Sequence, residues 1–209
     1  MKTTKKALLA LVCAAALVFG SVFATYAYLT DSKSVTNTFT VGNVKITLDE
    51  SDVDGSKTNV TTTGRDTANT YKLIPGTTYE KDPIVHVASD SENCYLFVKV
   101  VNEITAIEGD TKIAAQMAAK GWIAVDGAEN IYVYVGTAEG ASAPLSVAAN
   151  SNITVFESFK IDGSVTNETL ASYANKTITV TAYAVQAEGF ESATAAKVWT
   201  DTFGKTAAE

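Results

Sequence analysis

A single histidine, two cysteines and three prolines stand in a chain of 209 residues, and these scarcities remove whole classes of chemistry. With His86 as the only imidazole, no two-histidine zinc site of the H-E-x-x-H kind can form, and a catalytic triad could draw on one histidine at most. Alternating with valines in Ile84-Val85-His86-Val87, it reads as a structural, half-exposed strand residue. Serine is plentiful but never occupies a G-x-S-x-G elbow, and neither a glycine-rich phosphate loop nor a dinucleotide fingerprint is present. Cys13 lies inside an apolar N-terminal run and lacks the preceding small residue of a lipid-attachment site. Cys94 is then the only thiol beyond that run, so no intramolecular disulfide is available and packing alone must hold the fold. Opening an apolar stretch, Cys94 reads as a small buried hydrophobe. Basic residues are short as well. Against 23 Asp+Glu there are 16 Lys+Arg, without the clustering a phosphate backbone requires, which excludes nucleic acid as a partner.

What is present begins with the N-terminus. Lys2, Lys5 and Lys6 precede an apolar run from Ala7 to Ala24, broken only by Gly20 and Ser21. Thr25 and Ala27, separated by Tyr26, suit an A-x-A-like cleavage site, with Tyr28 as the first mature residue. Lysines lie before the run and none follows until Lys33, so residues 1–27 read as a cleavable signal peptide, with an uncleaved signal-anchor as the alternative. Contact with a membrane is expected only through this leader, before cleavage. Its removal takes three lysines and no acid, leaving 13 basic against 23 acidic residues over about 182 residues, a balance of −10. That length suits one domain with a real core.

Along the mature chain, Phe39 and Val41 alternate with polar residues, and Val44, Ile46 and Leu48 continue after a change of parity at Gly42-Asn43. Residues 37–48 therefore predict one bent strand with a β-bulge. Residues 49–70 are polar, acidic and aperiodic and predict a long hairpin loop. Within it, Glu50, Asp52 and Asp54, followed by Gly55, resemble the first half of a calcium loop. Thr61 stands where such a loop needs Glu, and a solvated acidic loop without metal is the preferred reading. Leu73-Ile74-Pro75-Gly76 predicts a turn, and Tyr79 to Val87 a strand with an edge or bulge at Pro83.

Cys94 to Val101 is the most apolar stretch and predicts a central strand, with Leu96, Val98 and Val100 facing the core and Tyr95 and Phe97 the other side. A short helix over 112–120 follows, capped by Asp110-Thr111, carrying Ile113 and Met117 and stopped by Gly121. Further strands are expected over 122–125, 131–135, 153–161 and 177–186, with a helical turn capped by Asn167. A closing helical segment seats Trp199 and Phe203 against the sheet. Tyr95, Phe97, Tyr132 and Tyr134 could make a sugar-stacking platform, although cross-strand packing is the simpler use. Neither repeat nor proline-rich linker divides the chain. The whole predicts an all-β protein, an antiparallel β-sandwich with two or three short helices in its connections. Periodicity leaves immunoglobulin-like and jelly-roll topologies both open.

Three blocks carry a family likeness. Ala27-Tyr28-Leu29-Thr30-Asp31, then Asn37, Phe39, Gly42, Val44 and Ile46, follow the start of the mature TasA/camelysin family, with Leu29 in place of its usual aromatic. Leu73-Ile74-Pro75-Gly76 with Lys81-Asp82 is similar to its L-x-P-G-x-x-x-x-K-D turn, and Val180 to Phe190 resembles its closing A-x-A-x-Q-x-x-G-F strand. Residues 103–175 carry no matching motif.

The resemblance implies a jelly-roll-like sandwich, processing by a dedicated signal peptidase, and secretion to the extracellular matrix or cell surface of a Gram-positive bacterium. It also implies assembly into biofilm-matrix fibres, in which a mature N-terminal segment adds as a strand to the next subunit. Residues 28–36 are then the candidate donor arm, with apolar Tyr28, Leu29 and Val35, ahead of a β-sandwich domain over 37–209. The expected partners are other copies in a head-to-tail homopolymer, together with other matrix proteins or cell-wall polymers, and neither a cofactor nor catalysis is expected. Two other classes compete. One is a camelysin-like surface metallopeptidase, disfavoured by a single histidine and no zinc motif; the other is a monomeric adhesin or carbohydrate-binding module.

Overall fold

The computed structural model describes residues 43–53 and 61–204, with the backbone alone at 61–63. Ala27, Tyr28, Leu29, Val35, Gly42 and Asp54 lie outside the described residues, as do the whole leader and arm. The strands, in chain order, are β1 (Ile46–Val53), β2 (Thr61–Asp66), β3 (Thr78–Glu80), β4 (Ile84–Val87), β5 (Cys94–Asn102), β6 (Trp122–Ala124), β7 (Ile131–Tyr134), β8 (Asn152–Thr154), β9 (Ser158–Lys160) and β10 (Ile178–Gln186). Two short α-helices lie in their connections, α1 (Ile113–Ala119) and α2 (Asn167–Ala171), and a third, α3 (Ala195–Thr202), follows β10. One sheet has the order β2-β1-β4-β8, a second β10-β5-β7-β6, and β3 pairs with β9. Every pairing is antiparallel, so the all-β reading holds.

β5 is central in its sheet, between β10 and β7, and is buried on both faces, as its run of valines and aromatics predicts. Leu96, Val98 and Val100 join Val85 and Val87 of the first sheet in the main core, against which Ile46, Leu48, Ile178 and Val180 also pack. On the opposite face, Tyr95 and Phe97 meet α3. Trp199 stands 5.6 Å from Phe97 and 5.2 Å from Tyr183 between ring centres, and Phe203 extends the cluster. Thr194 starts this helix, its hydroxyl accepting from Lys197 N at 3.3 Å. Helix α1 buries Ile113 and Met117 as expected, but its N-terminus is served by the Glu108 carboxylate, which accepts from Ile113 N at 3.2 Å. Lys112 holds the cap position without a side-chain bond, so it is Glu108 and not Asp110-Thr111 that satisfies this end of the helix. For α2 the cap is the Thr166 side chain and not Asn167. Gly121 does stop α1, at φ +88°, and a Cβ there would lie 2.5 Å from the carbonyl carbon and oxygen of Gly136.

Two expected long strands are each broken. Around Lys81-Asp82-Pro83, the stretch 78–87 divides into β3 and β4; around Val155-Phe156-Glu157, the stretch 153–161 divides into β8 and β9. The breaks coincide, and the register carries across them: Glu80 faces Ser158 before the kink, and Ile84 faces Thr154 after it. Lys81 N still reaches Glu157 O at 3.1 Å and Val155 N reaches Pro83 O at 2.8 Å, so one kinked ladder serves two sheets. β4 is an interior strand, so of the edge or bulge that Pro83 suggested the edge is excluded, and the ladder is interrupted at Lys81-Asp82-Pro83. The loop expected over 49–70 is also corrected, since β1 runs on to Val53 and β2 folds back on it with Ser51 opposite Arg65. Their polar side chains pair with one another, which leaves no hydrophobic alternation to read.

Candidate functional site

β1 is the strand of the first sheet that approaches β10, and β10 ends the second sheet. β2 therefore reaches one strand beyond its counterpart among the described residues. The space beside β10 is a cleft of about 1090 Å³. Its walls come from β1, the segment 66–73, the region of α2 through Thr177, and the first residues of β10. Leu48, Leu73, Phe159, Leu170, Ile178 and Val180 give it apolar sides. Phe159 belongs to an aromatic group, stacked 4.9 Å from Tyr79 with Tyr71 edge-on to both.

The base of the cleft is charged. Glu50, 5% exposed, and Lys81, 8% exposed, form a buried ion pair. The second Glu50 oxygen accepts from Asn69 Nδ2 at 2.9 Å, and that amide also donates to Ser51 O. The Tyr71 hydroxyl donates to Glu80 O, and burial, followed by the nearby Glu50, Asp82 and Glu80 carboxylates, raises its pKa.

Beside this pair, Arg65 ties three segments together. Its guanidinium pairs with Asp49, donates to Asp82 Oδ2 at 3.0 Å, and reaches the backbone oxygens of Asp49 and Asp82, each at 3.1 Å. Asp82 Oδ1 also accepts from Ser51 N at 2.6 Å. Burial pushes both carboxyls up. For Asp49 the bonds from Arg65 and His86 outweigh it, and for Asp82 the Ser51 N–H and then Arg65 do so, holding each below its usual value.

His86 sits beside this network, with Nε2 2.9 Å from Asp49 Oδ1 and Nδ1 2.7 Å from Asn152 Oδ1. Both ring nitrogens are engaged within the first sheet, so the residue is a strand cross-link. Glu50, from the proposed calcium half-loop, is spent on Lys81 and Asn69, and Asp52 lies half-buried on β1. Among the described residues, no group of three or more His, Cys, Asp or Glu is placed to hold a metal ion. Cys94 is fully buried, and desolvation pushes its thiol up to about 11. Tyr95 and Phe97 belong to one core and Tyr132 and Tyr134 pack on the other, so the four rings lie on opposite faces and make no shared platform.

Sequence reasoning missed Arg65, Asn69 and Lys81. Arg65 left a trace, as the only arginine of the chain. Lys81 appeared only as part of the K-D of the turn motif, with no sign of its buried partner, and Asn69 left no trace in its aperiodic stretch.

The sheet edges differ sharply. β6 and β8 have three residues each, and the β8–β9 side is closed. Trp122 Nε1 donates to Thr154 O at 2.9 Å, Gln116 Nε2 donates to Ser158 O at 2.7 Å, and Gln116 Oε1 accepts from Glu157 N and Ser158 N. β2 carries the charged Arg65 and Asp66. β10 runs nine residues without a charge or a proline, and no described strand pairs with its outer side. Such an edge is a template for a further strand. No helix of the described residues is long and apolar enough to cross a membrane. No family model, curated protein or solved structure matches this chain.

Proposed function

We propose that this is a secreted structural protein that assembles into extracellular matrix fibres by donor-strand addition. The observation that carries the reading is the open edge of β10 together with the cleft beside it. No strand pairs with that edge among the described residues, and residues 28–36, long enough for one strand, precede the first described strand in the sequence. A strand added beside β10 gains a ladder of backbone hydrogen bonds and buries alternate side chains in the cleft. Because donor and acceptor are different surfaces, each copy that accepts an arm offers its own to the next, which gives an open filament.

Completed in this way, the two sheets make a sandwich of the jelly-roll kind. Under the same reading, export and cleavage after Ala27 free the arm, as in the TasA/camelysin proteins that the sequence resembles, and the chain is not an enzyme. Negative-stain electron microscopy of the mature chain beginning at Tyr28, beside a version beginning at Val41, tests this. Fibres from the first and folded monomers from the second are expected. Fibres from both versions would remove the arm from the mechanism.

A further inference from the structure

The proposed arm has a pattern that the base of the cleft answers. In an extended strand, Leu29, Asp31, Lys33 and Val35 share one face, while Thr30, Ser32 and Ser34 share the other. The first face reads apolar, acid, base, apolar. Inside the cleft, Glu50 and Lys81 are almost closed to water and stand with apolar Leu48, Leu73 and Ile178. An ammonium carries three donors, and Glu50 is the one side-chain acceptor that Lys81 has among the described residues. Covering this pair with apolar groups alone would remove its remaining water and leave that donor capacity unfilled.

Resting on the donor-strand reading above, we infer that the arm of one copy docks in the next with Asp31 against Lys81 and Lys33 against Glu50. Leu29 and Val35 cover the apolar flanks, and the Ser/Thr face turns outward. The four charges set the register. A slip of one residue turns the Ser/Thr face inward, and a slip of two brings like charges together. The pair therefore selects this segment and this alignment from among other extended chains.

The test uses two synthetic peptides of residues 28–36, one native and one with Asp31→Lys and Lys33→Asp together. They have the same composition and net charge, and the fold of the acceptor is untouched. Each is added to the mature chain while fibre growth is followed by light scattering, and its binding is titrated by fluorescence anisotropy. The native order should block growth and bind about tenfold or more tightly than the reversed order. Equal potency of the two peptides overturns the charge pairing and leaves fibre assembly standing. Fibres that grow while neither peptide binds overturn it as well. If no fibres grow at all, the assembly reading fails separately. Anisotropy then decides the pairing alone: a tenfold preference for the native order supports it, and no preference overturns it.

Discussion

Lys81→Met should destabilise the protein far more than a typical surface change, because it strands the Glu50 carboxylate at 5% exposure with Asn69 as its one remaining hydrogen-bond partner among the described residues. Removing one member of a buried pair costs about 3–5 kcal/mol. Set against the roughly 5–15 kcal/mol that hold a domain together, this is a large share. At roughly 2–4 °C per kcal/mol for a chain of this length, the melting temperature should fall by about 6–20 °C. Glu50→Met should cost a similar amount, since it leaves a buried ammonium unpaired. The double variant should be far less damaged than the two single costs together, because an apolar pair needs no counter-charge. Asn69 then keeps its bond to Ser51 O and loses its other acceptor, a cost of about 1–3 kcal/mol. Urea unfolding of the mature chain, followed by the fluorescence of Trp122 and Trp199, gives all four corners of the cycle. Single costs below about 1 kcal/mol, or a double cost equal to their sum, would refute the buried pair and with it the account of the base of the cleft.

Gly121→Ala should cost about 3 kcal/mol or more, since φ is +88° and the new Cβ would sit 2.5 Å from Gly136 carbonyl atoms; a thermal melt checks it. Asp49 and Asp82 have lowered folded-state pKa values, so they bind protons more weakly when folded. Their stabilisation is complete above about pH 5 and is lost as pH falls through the lowered folded values. Melting temperatures from pH 7 to pH 3 should therefore drop more steeply for the parent than for Arg65→Gln, which itself should cost on the order of 1–3 kcal/mol at neutral pH. Cys94 should resist a thiol-specific chromogenic reagent in the native protein and react fully in urea, because the buried thiol is held to about 11.

Much of the fold was legible because the second sheet and its helices follow simple periods. Leu96, Val98 and Val100 against Tyr95 and Phe97 gave the two faces of β5, and Ile113 with Met117 gave the buried side of α1. The kinked ladder was hidden. Val85 and Val87 keep strand phase with Tyr79 across Lys81-Asp82-Pro83, so alternation alone reads one strand where the chain changes sheets. The hairpin of β1 and β2 was hidden for the opposite reason. Its residues are ordered by the ties of Arg65 to Asp49 and Asp82 and of Glu50 to Lys81, each made across a long sequence separation. Cleft formation was equally invisible, since it follows from which strand ends each sheet.

Hydrogen exchange along β10 tests donor-strand assembly most directly. In assembled fibres, the backbone amides of 178–186 that face away from β5, roughly half of the strand, should gain protection over the version beginning at Val41. Equal exchange of that segment in fibre and arm-less monomer would show that no strand is added there, and would contradict the assembly mechanism.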